Sequence, residues 1–167
     1  STALGSRAKS GGVGGVGIGM LANATKDYGI AIGGSSSSTA DNSIAIGGES
    51  SSTGDSSIAI GKKSSAVGAN GVAIGTNFTS ATLGGVAVGQ AAKANKFYSV
   101  AMGMNVTADG DNSVALGGSA SANSDGTIAI GSYGSTPTKA TGNRALAIGS
   151  ATTANGLESI AIGSRVN

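Results

Sequence analysis

Residues Ile30 to Ser43 read Ile-Ala-Ile-Gly-Gly-Ser-Ser-Ser-Ser-Thr-Ala-Asp-Asn-Ser, and the same pattern returns along the whole chain. An aliphatic residue, a small residue, a second aliphatic residue and a glycine recur at fourteen-residue intervals, with one interval of eighteen between Ile128 and Leu146. A fixed period of this kind predicts stacked coils, each of which buries its apolar side only against its neighbours. The twelve copies begin at Thr2, Val16, Ile30, Ile44, Ile58, Val72, Val86, Val100, Val114, Ile128, Leu146 and Ile160.

Each repeat carries the signals of two short strands and two tight turns. The segment Ile30–Ile32 alternates large β-branched and small residues, as strands do. Gly33 follows, and every repeat has glycine at this place, which either a positive φ or a close backbone approach requires. A second strand then places small residues such as Ser36 and Ser38 on one face, before a polar turn. The sequence predicts an all-β parallel solenoid of about twelve coils over residues 1–167, a segment of a longer array.

The two faces of the first strand differ, and this difference predicts an oligomer. One face carries two large aliphatics per coil, and the other carries alanine or, once, Gly17. Because the second strand offers only small residues to the interior, alanine fits inside the coil and the aliphatic ladder points outward, exceeding the apolar patch that a soluble monomer tolerates. We expect identical chains to meet on an axis; aliphatics closed inside each coil are the alternative. The expected inter-chain core is Ile30, Ile32, Ile44, Ile46, Ile58, Ile60, Val72, Ile74, Val86, Val88, Val100, Met102, Val114, Leu116, Ile128, Ile130, Leu146, Ile148, Ile160 and Ile162.

Composition excludes several classes of function. The 167 residues include neither Cys nor His, which removes disulfides, thiolate chemistry, imidazole metal sites and Ser–His pairs. The net charge of +2 has no basic stripe interleaved with aromatics, so a nucleic-acid partner is not expected. No apolar run approaches the roughly 18 residues of a membrane-spanning helix. We expect no enzyme activity, no cofactor and no metal.

Five aspartates share one place in the repeat, within the second turn. Stacked about 4.8 Å apart, such carboxylates suit either a cation ladder or turn capping in solvent, and turn capping is the favoured interpretation. The column consists of Asp27, Asp41, Asp55, Asp111 and Asp125.

Three stretches carry a recognisable motif: residues 42–50, 56–64 and 112–117, the first being Asn-Ser-Ile-Ala-Ile-Gly-Gly-Glu-Ser. They resemble the Asn-Ser-Val-Ala-Ile-Gly-x-x-Ser repeats of the YadA-type heads of trimeric autotransporter adhesins, and the resemblance extends over the whole chain. It implies a left-handed parallel β-roll, a homotrimer, and display on the surface of a Gram-negative bacterium. It also implies an outer-membrane anchor C-terminal to this segment.

The resemblance also implies a function, namely passive multivalent attachment to host extracellular matrix or host cells, with collagen among the ligands. In the family, collagen binding is tied to this motif. The alternative is that the motif matters because it builds the scaffold. The candidate ligand contacts from the motif are Asn42, Ser43, Ser50, Asn112 and Ser113.

Departures from the repeat supply further candidates for ligand binding. The four extra residues of the long repeat are best placed at Ser135, Thr136, Pro137 and Thr138, as a protruding loop. Phe97 and Tyr98 occupy a turn that is otherwise polar, and Tyr28 shares the column of Tyr98. Exposed aromatics suit ligand contact, and equally suit the seam between subunits. Phe78 stands at a small inward place and predicts a local widening or a rotated side chain.

An ice-binding solenoid is the competing function, because such proteins present a flat ladder of hydroxyl groups. Thr25, Thr39 and Thr53 form a short column of this kind. It breaks at Val67, Ala81, Asn95 and Asp109. The adhesin interpretation is therefore favoured.

Overall fold

The computed structural model describes residues 1–131 and 136–167 and shows an all-β parallel solenoid. The described residues form 23 short strands that alternate between a twelve-stranded first sheet and an eleven-stranded second sheet. Strands from consecutive coils are neighbours throughout both sheets. This confirms the predicted fold class, with about fourteen residues and two strands per coil.

The first sheet contains β1 (Thr2–Leu4), β3 (Val16–Ile18), β5 (Ile30–Ile32), β7 (Ile44–Ile46), β9 (Ile58–Ile60), β11 (Val72–Ile74), β13 (Val86–Val88), β15 (Val100–Met102), β17 (Val114–Leu116), β19 (Ile128–Ile130), β21 (Leu146–Ile148) and β23 (Ile160–Ile162). The second sheet contains β2 (Lys9–Ser10), β4 (Asn23–Ala24), β6 (Ser37–Ser38), β8 (Ser51–Ser52), β10 (Ser65–Ala66), β12 (Ser80–Ala81), β14 (Lys93–Ala94), β16 (Thr107–Ala108), β18 (Ser121–Ala122), β20 (Lys139–Ala140) and β22 (Thr153–Ala154).

Each coil has two turns, called the first corner and the second corner. The first corner follows the first strand and runs from Gly33 to Ser35 in the coil that begins at Ile30. The second corner follows the second strand and runs from Ala40 to Asn42 in the same coil. Amides and carbonyls at both corners bond to the neighbouring coils, as in the 2.8 Å bond that the Gly33 amide donates to the Ile18 carbonyl.

The coil interior is built from small side chains. Ala31, Ala45 and their equivalents in the inner coils are fully buried, together with residues such as Ser36 and Ser38 from the second strand. The aliphatics that flank this alanine, as in β5 and β7, are only partly buried on the opposite side of the sheet, and those of the two terminal first strands are exposed. Residue size therefore decides which face turns inward, because only alanine and serine fit between two sheets so close together.

At Gly33, both of the reasons that the sequence left open require glycine at the first corner. Gly33 has a φ of 128°, which L side chains rarely adopt. A Cβ built on it would also lie 2.7 Å from the carbonyl carbon of Gly47 in the next coil. Any side chain at this place would push consecutive coils apart.

Two further places in the coil have positive φ without requiring glycine. Ser35 at the first corner and Asn42 at the second corner both have φ of 56°. Asparagine tolerates this left-handed region better than most residues. The asparagine of the Asn-Ser motif therefore occupies a turn position for which its backbone preference suits it.

The coil from Val72 to Gly85 departs from the regular register. Ser80 pairs with Ser65, fifteen residues before it, and with Lys93, thirteen residues after it. An extra residue in the first corner is thus compensated by one residue fewer in the second corner. Thr79 takes the buried place expected for Phe78, whose side chain is 66% exposed.

Candidate functional site

The outer side of the first sheet is an apolar surface, which we call the aliphatic face. It consists of the two residues that flank the central alanine or glycine in each first strand, and it includes every residue predicted to form the inter-chain core. Within the single chain these side chains are only partly covered, and Met102 is 44% exposed. A continuous apolar face of this length suits burial against other protein surfaces.

The serines of the Asn-Ser motif lie inside the coil. The Ser43 hydroxyl donates to the Ala40 carbonyl at 2.7 Å, and the Ser113 hydroxyl donates to the Gly110 carbonyl at 2.6 Å. Ser50 is also buried, and its hydroxyl donates to a first-corner carbonyl. This placement corrects the expectation that the three serine hydroxyls contact a ligand, because they already bond to turn carbonyls away from solvent.

The asparagines of the motif are placed differently from its serines. Asn42 and Asn112 are exposed at the second corner. In the next coils, fourteen residues later, Ser56 and Gly126 occupy the same place. Of the five motif candidates, only these two side chains face solvent. The motif as a whole therefore acts first as a scaffold.

The long coil keeps its register on both sides of the extra residues. The Gly131 amide bonds to the Leu116 carbonyl, and the Thr138 carbonyl accepts from the Ser121 amide, both at 2.9 Å. Thr138 is buried at the place that Ala120 takes in the preceding coil. The extra residues therefore lie between Gly131 and Thr138, which corrects the placement of Thr138 in the loop.

The other loop candidates fall into two groups. Thr136 is exposed and Pro137 is half-buried, so both are accessible next to the scaffold. Ser135 lies outside the described residues.

Four of the five aspartates of the column cap turns between coils. Oδ1 of Asp27 accepts from the Val13 amide at 2.8 Å, and Oδ1 of Asp125 accepts from the Asp111 amide at 2.8 Å. Asp41 and Asp111 accept from the amide one coil earlier in the same way, at 3.2 Å. Within residues 1–131 and 136–167, no three acidic side chains converge as metal ligands would.

The two tyrosines of the second corner lie against glycines of the preceding coil. A Cβ on Gly84 would approach Cδ1 of Tyr98 to 2.6 Å, and a Cβ on Gly14 would approach Cδ1 of Tyr28 to 2.9 Å. The glycine fourteen residues earlier is therefore what leaves room for each ring. The sequence signal for this contact is a glycine that precedes the tyrosine by fourteen residues, which inspection of a single repeat does not reveal.

Tyr98 is 62% exposed and its neighbour Phe97 is 52% exposed, so both rings are accessible in the single chain. Phe78 lies at the first corner instead, on the other side of the coil. The Lys63 ammonium lies 5.3 Å from the Phe78 ring centroid and 3.8 Å from a Glu49 carboxylate oxygen. These exposed contacts are worth less than about 1 kcal/mol each.

The threonine column is interrupted in the structure as it is in the sequence. Because of the register shift, Thr82 rather than Ala81 continues the column after Val67, and its hydroxyl donates to the Lys96 carbonyl at 2.8 Å. Val67 is exposed and breaks the column. The continuous hydroxyl ladder that an ice-binding face requires is not formed by the described residues.

The described residues contain no helix long and apolar enough to cross a membrane.

Comparison with known proteins agrees with this architecture. The family model described as the YadA head domain repeat matches residues 24–50, 52–77, 83–105, 108–133 and 140–165. Among solved structures, the collagen-binding domain of the Yersinia adhesin YadA is similar to this chain, with 30% sequence identity and a TM-score of 0.52. That similarity covers 93% of this chain and 69% of the YadA chain. No curated protein sequence matches the chain. The chain therefore belongs to the YadA head family, an adhesive and non-enzymatic family whose heads are exposed outside the cell.

Proposed function

We propose that this chain forms a homotrimeric adhesin head that attaches a bacterium to host extracellular matrix, with collagen as the first ligand to test. The aliphatic face is the single observation that carries the proposal. Its partly exposed side chains need partners, and three chains facing a common axis bury all of them at once. Membership of the YadA head family supports the adhesive part of the proposal.

The side of the coil opposite the aliphatic face is the surface left for a ligand. Its outward residues include Ser37, Ser51 and Thr107, which are partly exposed on the second sheet. Individual hydroxyl and amide contacts on such a flat surface are weak. Three copies of that surface on one rod, and many rods on one cell, raise the overall avidity by factors of about 10² to 10⁴.

Attachment to the cell completes the proposal. The similar domain is named as collagen-binding, and its chain is longer than the part matched here. We expect an anchor in the outer membrane to hold this head at the cell surface. The rod then acts by binding alone, as a rigid scaffold that displays its binding surfaces.

Light scattering over a wide protein concentration range tests the trimer. The unmodified chain should give a mass near three chains. Ile58→Asp should shift the mass to one chain, because three carboxylates would meet at one level of a buried axis. Ser51→Asp adds the same charge to the opposite side of the solenoid and should remain trimeric.

Binding to a collagen-coated surface tests the ligand with the same three proteins. The unmodified chain and Ser51→Asp should be retained, and monomeric Ile58→Asp should lose at least tenfold in retention as avidity is lost. A stable monomer of the unmodified chain would contradict the trimer. A trimer that does not bind collagen would support the proposed assembly and exclude collagen as its ligand.

A further inference from the structure

Large apolar side chains are exposed at the corners as well as on the aliphatic face. Stacked first corners form one long edge of the solenoid, the first edge, and stacked second corners form the second edge. Among the residues that the structure describes, the large apolar side chains exposed on the first edge are Met20, Leu21, Phe78 and Met104. On the second edge they are Val13, Tyr28, Leu83, Phe97, Tyr98 and Leu157.

The two sets of residues occur at the same heights along the rod. The chain climbs one strand spacing, about 4.8 Å, per coil. A first corner is therefore level with the second corners of its own coil and of the preceding coil. Met20 and Leu21 lie in the coil that begins at Val16, level with Val13 and Tyr28.

The same coincidence recurs further along. Phe78 is level with Leu83 of its own coil, which begins at Val72. Met104 is level with Phe97 and Tyr98 of the preceding coil. In the described part of the chain, each exposed apolar side chain of the first edge thus has an apolar counterpart on the second edge.

Leu157 is the exception among the described residues. The first corners level with it carry Ala151 and Arg165, and neither is a large apolar residue.

A closed ring of parallel chains brings the two edges together. In a cyclic trimer each contact is heterologous, so the first edge of one subunit meets the second edge of the next. Rotation about the axis does not change height, and residues at equal levels become neighbours. Both edges also border the aliphatic face, so the contact continues the interface proposed above.

We propose that these side chains form a seam between copies of this chain, with three apolar clusters at fixed heights. The inference rests on the proposed homotrimer and names its lateral contacts. Met20 and Leu21 meet Val13 and Tyr28 of the next subunit. The other two clusters are Phe78 with Leu83, and Met104 with Phe97 and Tyr98.

Charges on the edges support this alignment at one level. Lys62 and Lys63 on the first edge are level with Asp55 on the second edge. Glu49 is level with Asp41 and Asp55, and these like charges would repel one another across the seam. Its ion pair with Lys63, at 3.8 Å, offsets that repulsion.

The seam assigns Phe97 and Tyr98 to assembly rather than to ligand contact. Ligand binding and subunit contact were equal alternatives from the sequence. Aromatic rings on only one edge would have favoured a ligand, since nothing would face them in a ring. The matched heights favour a second copy of the chain.

Cysteine cross-linking tests the seam cleanly, because the chain has no native Cys. The double variant Phe97→Cys with Met104→Cys is treated with a short bismaleimide and run on a denaturing gel. We expect a ladder ending at three covalently linked chains. Each single variant should stay at one chain, because its cysteine has no counterpart within reach.

A mismatched pair controls for random collision. Tyr28→Cys with Met104→Cys places the two thiols more than five coils apart in height, about 25 Å. This pair should give no linked trimer at the same protein and reagent concentrations. Equal linking by the matched and mismatched pairs would overturn the seam.

Light scattering of the same variants distinguishes a failure of the proposed seam from a failure of the proposed trimer. A trimer whose matched pair links supports the seam. A trimer whose matched pair fails to link overturns the seam and leaves the trimer standing. A monomer overturns both.

A second variant, Phe97→Ser with Tyr98→Ser, tests the energetic role of the rings without a cross-linker. We expect the variant trimer to dissociate at a protein concentration at least about tenfold higher than the trimer of the unmodified chain does. Because the monomer–trimer dissociation constant varies as the square of this concentration, the shift corresponds to about 2.7 kcal/mol per trimer. Retention on collagen at saturating trimer should be unchanged. Unchanged assembly with lost retention would assign the rings to the ligand and refute the seam.

Discussion

Two parts of this solenoid build the same coil around different interiors. Coils that begin at Ile30 and Ile44 fill the interior with serine hydroxyls from the second strand, whereas coils that begin at Val86 and Val114 fill it with alanine methyl groups. The register of the first sheet, the buried alanine of the first strand and the partly buried aliphatics are the same in both. The chemistry of the interior therefore does not specify the coil.

The serine interior is stable because each hydroxyl finds an acceptor in its own coil. The Ser36 hydroxyl donates to the Gly33 carbonyl at 2.9 Å, and the Ser38 hydroxyl donates to the Ser43 carbonyl at 3.0 Å. A satisfied hydroxyl costs little to bury, whereas an unsatisfied one costs several kcal/mol by common estimates. Both interiors share the small volume of their side chains and the glycine at the first corner.

The largest expected effect comes from the shared corner glycine, tested once in each part. In Gly47→Ala and Gly103→Ala, the new Cβ would lie 2.6 Å from a glycine carbonyl oxygen of the next coil, at φ of 132° and 139°. We expect the free energy of unfolding to fall by about 3 kcal/mol or more in both. Denaturant unfolding followed by circular dichroism measures it.

Each part also offers a matched control next to its corner glycine. Gly34 and Gly118 have no heavy atom within 4 Å of an added Cβ. Gly34→Ala and Gly118→Ala should change stability by no more than about 0.5 kcal/mol. If the corner variants are as stable as these controls, glycine is not what fixes the coil.

Overfilling the interior should have an intermediate effect in both parts. Ser38→Val and Ala94→Val add branched bulk at a place that holds a small residue in every described coil. We expect each to cost about 1–3 kcal/mol of unfolding free energy. Ala92→Val is the control, because Val106 is buried at that place in the following coil. A similar loss from all three would show that the coil tolerates no added volume anywhere.

The smallest effect is expected from converting one interior into the other. In Ser38→Ala, the Ser43 carbonyl keeps the bond from the Ile30 amide at 2.9 Å. The Ser43 hydroxyl keeps its bond to the Ala40 carbonyl at 2.7 Å. We expect a loss below about 1 kcal/mol, seen as a small shift in thermal midpoint. A larger loss would mean that the hydroxyl network is needed for the coil.

Much of the fold follows from the sequence, because twelve copies of the repeat show the shared pattern even where single copies are irregular. The period, the corner glycine and the size difference across the segment Ile30–Ile32 were enough to predict the solenoid and the outward aliphatics. The aspartate column was likewise expected to cap turns, as the bond from the Val13 amide to Asp27 shows. Each of these features is local or repeats in many coils.

The number of residues in each corner of a coil could not be predicted in this way. In the coil from Val72 to Gly85, one residue gained at the first corner and one lost at the second leave the spacing at fourteen. The repeat pattern cannot register a change that cancels within a single period. Only the pairing of Ser80 with Ser65 reveals that Thr79, and not Phe78, turns inward.

Sequence alone determined the stacked coil, because a fixed period, a glycine corner and alternating side-chain sizes are properties of each repeat by itself. The tertiary structure decided which side chains remain exposed for contact with a ligand or another subunit. It buried Ser43, Ser50 and Thr138 inside the coil and left Tyr98 lying over Gly84 at the edge. The physical reason is that exposure depends on the neighbouring coil fourteen residues away, and stacking alone brings that coil into contact.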